Sequence, residues 1–322
     1  MSPVREPLLV LIPFAPDHLA RLNAAHDVIY APDPRSRADA IAGAAKDVRA
    51  VLTHGTAGLS AGEMDALPRL QIVSCYGVGY DRIEVPAALE RNIMVTHGPG
   101  TNTGSVADHA FALILSTVRC VPESDRAVRA GQWHEARRSA PELSTLRLGI
   151  LGLGAIGRAV ARRGALGFEM SVGYHNRNPA ADAPYAYHAG VLDLADASDV
   201  LVVAAPGGAA TRHLIDAQVL EALGPRGYLI NIARGSLVDT DALIAALHAG
   251  QIAGAGLDVV DGEPVVPPAL LNAPNLVITP HSAARSPTAE DNMTVLALKN
   301  LAAHFAGAPV LTPVPEWARR LG

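Results

Sequence analysis

An apolar stretch, Leu146–Leu151, runs directly into Gly152-Leu-Gly154-Ala-Ile-Gly157, and a helical pattern, Ile156–Leu166, leads out of it. Few sequence features restrict a fold so tightly. The first glycine permits a sharp turn, the second lets a diphosphate approach the backbone, and the third lets the helix pack closely on the strand. The first amides of such a helix point at the diphosphate. This segment therefore predicts the opening βαβ unit of a parallel sheet that binds a dinucleotide.

The flanking sequence extends the pattern in both directions. Downstream of Leu146–Leu151, candidate strands are Met170–Tyr174, Val200–Ala204, Tyr228–Ile232, Gly256–Val260 and Leu276–Ile278. Upstream they are Leu8–Ile12, Asp27–Tyr30, Ala50–Thr53, Leu70–Cys75 and Ile93–Thr96, with helical segments such as Pro16–Ala25 and Val85–Arg91 between them. Near-continuous apolar strands alternating with helices predict α/β architecture: two doubly wound parallel-sheet domains, the larger a Rossmann-type dinucleotide-binding domain. A chain of 322 residues exceeds what one ordinary core covers, which agrees with two domains. The boundary is expected near Gly98-Pro-Gly-Thr-Asn-Thr-Gly104, ahead of a long helix, Val106–Val118. A last helix, Thr288–Phe305, is expected to return to the first domain. The expected domains are therefore residues 1–100 plus 287–322, and residues 101–286. The Val106–Val118 helix is apolar on almost every face and must be covered on all sides, by a second copy of the chain in a homodimer or by the interior of its own domain.

Composition narrows the function classes. Hydrophobic residues make up 49% and charged residues 18%, enough core material for a globular protein. The net charge is −5, and no Lys/Arg cluster offers a nucleic-acid surface. No apolar run approaches the roughly 18 residues of a membrane span. No basic leader precedes a long apolar stretch, so a cytoplasmic location is expected. Cys75 and Cys120 form neither a metal nor a disulfide framework and read as incidental thiols.

The second dinucleotide strand normally ends in Asp or Glu, which holds the ribose hydroxyls. Here Met170–Tyr174 leads to His175-Asn176-Arg177-Asn178, and no carboxylate follows until Asp182. A neutral and cationic end accommodates a 2′-phosphate, so NADP is expected, with NADPH preferred over NADH. Gly77-Val-Gly79 imitates a second fingerprint, but Arg82 stands where the third glycine belongs. It retains backbone amides able to meet a carboxylate.

Three residues in recognisable settings supply the chemistry: Arg234 in Asn231-Ile-Ala-Arg-Gly235, Glu263 in Leu257-Asp-Val-Val-Asp-Gly-Glu-Pro264, and His281 in Thr279-Pro-His281. Beside a nicotinamide, a cation can hold a 2-keto acid's carboxylate and an imidazole can exchange the proton, while a carboxylate tunes the imidazole. His54, Tyr76 and Trp133 are further candidates for a pocket wall, and equally for core or interface positions.

Together with Tyr76-Gly-Val-Gly-Tyr-Asp81, Ser105-Val-Ala-Asp108 and Val238-Asp239, these motifs resemble the D-isomer-specific 2-hydroxyacid dehydrogenase family, especially its glyoxylate/hydroxypyruvate reductase branch. The resemblance implies that Arg234 orients the substrate, that His281 is the acid/base, and that Glu263 keeps His281 protonated. It implies that Val78 and Gly79 bind the substrate carboxylate through their amides. The cofactor would run over Gly152, Leu153, Gly154, Ala155, Ile156 and Gly157, with Asn176 and Arg177 at the adenosine end. Ala205, Pro206 and Thr211 would lie along it, and Asp258 with the Ala233 carbonyl would hold the nicotinamide carboxamide. Val106, Ile232, His281 and Ala283 complete the implied cofactor contacts. The implied reaction is NADPH-dependent reduction of small 2-keto acids such as glyoxylate and hydroxypyruvate. Reduction of larger acids (2-ketogluconate, aryl pyruvates) and a non-catalytic dinucleotide sensor are the alternatives. The sequence departs from the family's habit at Ser282-Ala283, where Ile-Gly or a similar pair often follows the histidine, and in the small-residue loop Pro206–Thr211.

Overall fold

The computed structural model describes residues 5–44 and 46–321; positions 1–4, 45 and 322 of the first expected domain lie outside these. The chain divides into two compact units, one built from the residues up to Asn102 together with those from Ser286 on, the other from Thr103–Arg285.

The first unit carries β1 (Pro7–Val10), β2 (Asp27–Tyr30), β3 (Ala50–Thr53), β4 (Ile72–Cys75) and β5 (Met94–Thr96). They form one parallel sheet in the order β2-β1-β3-β4-β5. Alternate side chains feed two cores. Leu9 and Leu11 join Val51, Val73 and Val95 on one face, whereas Leu8 and Val10 join Leu52 and Ile72 on the other. Burial on both faces explains why these strands read as unbroken apolar runs. The helix Pro287–Phe305 closes the second core with Ala297 and Leu301. Its start is fixed by Ser286, whose hydroxyl accepts from Ala289 N, and by Pro287 in the first turn.

The second unit holds β6 (Arg147–Leu151), β7 (Ser171–His175), β8 (Ala186–Tyr187), β9 (Val200–Val203), β10 (Tyr228–Asn231), β11 (Gly254–Leu257) and β12 (Leu276–Ile278). The order is β12-β11-β10-β9-β6-β7-β8, parallel throughout. The strand order reverses between β6 and β9, and a crevice at such a switch point is where open α/β sheets bind ligands.

Three expectations need correction. The strand expected at Gly256–Val260 is β11, Gly254–Leu257, because Asp258 already belongs to the turn that follows. The sheet extends to β8, a two-residue exposed edge with no apolar run to announce it. The long apolar helix spans Thr103–Val118 and is covered mainly within its own unit. Phe111 stacks on Phe168 with ring centroids 4.8 Å apart, and Leu113 lies so close to Gly256 that a Cβ there would sit 3.0 Å from it. Only the stripe of Gly104, Asp108 and Ala112 is exposed, so this helix does not by itself require a partner subunit. Among the described residues no helix is long and apolar enough to cross a membrane.

Candidate active site

The candidate residues of the second unit share one edge of its sheet. Since the strands are parallel, the turns after β6, β7, β9, β10, β11 and β12 all leave at the carboxyl edge. The first is the glycine turn. Gly152 has φ +99°, and a Cβ there would stand 2.6 Å from Ala205 N; one on Gly157 would stand 2.0 Å from Gly152 O. Both positions are closed by backbone. At Gly154, the N-cap of the helix Ala155–Gly167, a Cβ would meet no atom within 4 Å. A turn shut at its two ends and open at its centre, beneath free helix amides, fits a dinucleotide diphosphate. Val106, Leu153, Ile232 and Ala283 lie in the core cluster that supports this edge.

After β7, the Asn176 side chain turns inward and its Oδ1 accepts from Leu153 N at 2.7 Å. Arg177 and Asn178 are exposed. The nearest downstream acid, Asp182, is paired with Arg158 at 2.7 Å, and that hydrogen bond holds its carboxyl below the ordinary range. After β9, Thr211 closes its loop by donating to Pro206 O at 2.9 Å.

Arg234 follows β10 in a turn held by a side chain to which the sequence reading gave no role. Asn231 is fully buried, accepts from Ala233 N at 3.0 Å and donates to Arg234 O at 2.9 Å. An Asn at a strand end commonly bonds the backbone two residues on, a signal that was present in the motif. Arg234 Nη1 donates to Ala233 O at 2.6 Å.

Glu263 and His281 meet as expected, Oε1 to Nδ1 at 2.6 Å, with side chains 30% and 34% exposed. A carboxylate only accepts, so His281 Nδ1 carries the hydrogen and Nε2 is left to exchange a proton with a ligand. Burial works to raise the Glu263 pKa. The hydrogen bond and charge of His281 outweigh it, helped by Val260 N and the charge of Arg234, and the carboxyl ends below its usual range. The Arg234 contribution places all three members in one electrostatic neighbourhood.

His281 sits at φ +52° in a turn organised by Asp258, which is 1% exposed. Asp258 Oδ1 accepts from Thr279 Oγ1 at 2.7 Å and from Ser282 N at 2.8 Å, and Oδ2 accepts from Ala283 N at 2.9 Å. Thr279 is a second supporting residue that the sequence reading passed over, although it stood inside a quoted motif.

Val78 and Gly79 belong to the first unit, in the turn after β4. Their carbonyls are engaged, Val78 O by His97 Nδ1 at 3.0 Å and Gly79 O by Cys75 Sγ at 3.1 Å. Tyr76 donates to Glu290 O at 2.8 Å, and burial pushes its phenol up to about 12, so it remains a donor. His54 Nδ1 accepts from Ala57 N at 2.9 Å, and Trp133, in the second unit, is 62% exposed.

Residues 111–283 match the family model described as D-isomer specific 2-hydroxyacid dehydrogenase, NAD binding domain. The chain is 42% identical over 286 residues to hydroxyphenylpyruvate reductase of Plectranthus scutellarioides, covering 88% of this chain and 91% of that one. It is 43% identical over 268 residues to glyoxylate/hydroxypyruvate reductase A of Arabidopsis thaliana, with 83% and 85% covered. Among solved structures it resembles the NADPH-dependent glyoxylate/hydroxypyruvate reductase of Sinorhizobium meliloti in complex with NADP and malonate. That match has a TM-score of 0.89 and 40% identity, and covers 97% of this chain and 98% of the other.

Proposed function

The chain belongs to the D-isomer-specific 2-hydroxyacid dehydrogenase family, and on that premise we propose that it reduces small 2-keto acids, glyoxylate and hydroxypyruvate first, to D-2-hydroxy acids with NADPH. The observation that carries the reading is the 2.6 Å Glu263–His281 pair, in the field of Arg234, on the sheet edge that bears the glycine turn. Membership makes the chain an oxidoreductase with a nicotinamide dinucleotide cofactor; the substrate, the residue roles and the preference for NADPH are this proposal.

In this reading the second unit would hold the cofactor over the Gly152–Gly157 turn through the helix amides that follow Gly154, with Asn176 and Arg177 at the adenosine end. Ala205, Pro206 and Thr211 would flank it, and Asp258 and the Ala233 carbonyl would hold its carboxamide. The bound nicotinamide supplies the hydride. Arg234 grips the substrate carboxylate through its planar fork and polarises the keto oxygen. His281 gives its Nε2 proton to that oxygen as it becomes a hydroxyl. Glu263 holds the other ring nitrogen, fixes the tautomer and favours the imidazolium that reduction needs. In the first unit, read as substrate-binding, the amides of Val78 and Gly79 are proposed as binders of a substrate carboxylate. A cytoplasmic homodimer completes the proposal. Its support is the run of exposed apolar residues Val121, Val128 and Trp133, whose burial sedimentation of the protein would test.

A second reading has its own support in the similarity to a hydroxyphenylpyruvate reductase: the preferred acid is an aryl pyruvate or another larger 2-keto acid. One experiment separates the readings. NADPH and NADH oxidation is followed with glyoxylate, hydroxypyruvate, 2-ketogluconate and hydroxyphenylpyruvate. The proposal expects the highest kcat/KM for glyoxylate or hydroxypyruvate with NADPH. A hundredfold preference for an aryl pyruvate would install the second reading, and dinucleotide binding without turnover on any acid would make the chain a sensor.

A further inference from the structure

A left-handed backbone costs a non-glycine residue about 1–2 kcal/mol, so the turn at His281 needs a restraint. Asp258 provides much of it. Besides the bonds to Thr279, Ser282 and Ala283, its backbone oxygen accepts from His281 N at 2.8 Å. One buried carboxylate residue thus clamps the turn on both sides of the imidazole. The clamp has a further member. His109 projects from the Thr103–Val118 helix, its Nε2 2.8 Å from Thr279 Oγ1 and 3.4 Å from Asp258 Oδ1.

The direction of these bonds follows from counting hydrogens. Asp258, as a carboxylate, only accepts. The Thr279 hydroxyl has one hydrogen and points it at Asp258 Oδ1, so toward His109 it can only accept. His109 must therefore carry its hydrogen on Nε2. The result is an ordered chain, His109 Nε2–H to Thr279 Oγ1–H to Asp258, ending in the amides that flank His281.

We propose that His109 is a positioning residue for the proton transfer: by donating to Thr279 it fixes the Thr279–Asp258 bond and so aims His281. The inference rests on the acid/base reading of His281. It also makes a distinction within the site. Arg234 is fixed separately by Asn231, so loss of His109 should disturb the proton-transfer geometry and leave the grip on the substrate carboxylate intact. A histidine that merely fills space would be replaced without loss by leucine, whereas a donor would be replaced by glutamine, whose amide N–H can reach the same hydroxyl.

The test uses the full-length chain. His109→Leu is expected to lower kcat roughly five- to tenfold, the scale of one net hydrogen bond, with the KM for the keto acid changed less than about twofold. His109→Gln should recover at least half of the wild-type kcat. Thr279→Val and the double variant with His109→Leu should lose no more together than the worse of the two alone, because both break one chain. A readout without turnover uses the cofactor-free protein. Imidazole ¹⁵N spectra should place the His109 hydrogen on Nε2, and the Ser282 and Ala283 amides should exchange faster in His109→Leu. Wild-type kcat in folded His109→Leu, glutamine no better than leucine, or a hydrogen on Nδ1 would each overturn the proposal. If His109→Leu does not fold, the glutamine variant and the ring spectra decide it. Should the wild type reduce no keto acid, the proposed function fails, and the spectra and exchange rates still judge the hydrogen-bond chain.

Discussion

Replacing Glu263 by glutamine keeps an acceptor for His281 Nδ1 and removes the charge beside it. Two unit charges about 4 Å apart attract by about 4 kcal/mol at an effective dielectric of 20 and by about 1 kcal/mol in water. With both side chains near one-third exposed, the pair belongs toward the lower end, and about 1–2 kcal/mol is the working figure. At about 1.36 kcal/mol per factor of ten, that figure corresponds to roughly a five- to thirtyfold fall in kcat/KM for keto-acid reduction near neutral pH. The pH dependence follows from Glu263 itself, whose carboxyl is held below its usual range by its neighbours. The parent therefore keeps this charge into mild acid, and the gap between parent and Glu263→Gln should close only as pH falls through the lowered carboxyl value. The assay is keto-acid reduction at saturating NADPH across the pH range. Equal kcat/KM in parent and variant at neutral pH would show the electrostatic reasoning to be wrong.

Arg234→Lys retains the charge and loses the fork, so kcat/KM for keto acids should fall roughly a hundredfold while NADPH titrations stay the same; equal activity would make Arg234 a structural residue. Arg177→Ala should raise the KM for NADPH roughly ten- to a hundredfold and leave NADH almost untouched, with a smaller effect at high salt; a parent enzyme tighter and faster with NADH would refute this. Gly157→Ala would set a methyl group 2.0 Å from Gly152 O, so the melting temperature should drop by the equivalent of roughly 1–3 kcal/mol and dinucleotide affinity with it; an unchanged melt would show that the turn yields. Glu63 receives Arg37 Nε at 2.7 Å and Nη2 at 2.9 Å. Burial works to raise its pKa, but Arg37 and Ser60 prevail and the carboxyl lies below the usual carboxylate range. A depressed folded-state pKa contributes stability that is full above about 4.5 and is lost as pH falls through the folded value. Glu63→Gln should thus cost roughly 1 kcal/mol near neutrality, the difference between charged and neutral hydrogen bonds, and less in acid; an equal loss at both would contradict the linkage.

What the sequence disclosed was what is local or periodic. Asp27–Tyr30 and Ala50–Thr53 were readable to the residue because both edges are marked by polar or turn residues. The β11 strand was misplaced because Gly254 and Ala255 lack an apolar signature; the strand is there because small residues allow close approach, a Cβ on Gly254 falling 2.3 Å from Asn275 Nδ2. The meeting of Glu263 with His281 was legible from motif order. The restraints behind them were not. Asn231, Thr279 and Asp258 act through backbone amides brought together by folding, and His109 sits on a helix where its neighbours read only as core. Sequence spacing carries no trace of a hydrogen bond between residues 109 and 279.

The chain's layout also bears on how the molecule comes into being. The second unit is one uninterrupted stretch, so all of its partners leave the ribosome in sequence. The first unit is split: Leu8, Val10, Leu52 and Ile72 form a surface that Ala297 and Leu301 close. At about 5–20 residues per second, that apolar face of the nascent β-sheet waits on the order of tens of seconds for its cover. During that wait its exposed face is the site most open to chaperone capture or to self-association, while the intervening unit is free to fold ahead of it. The half of the protein that is translated first is completed last.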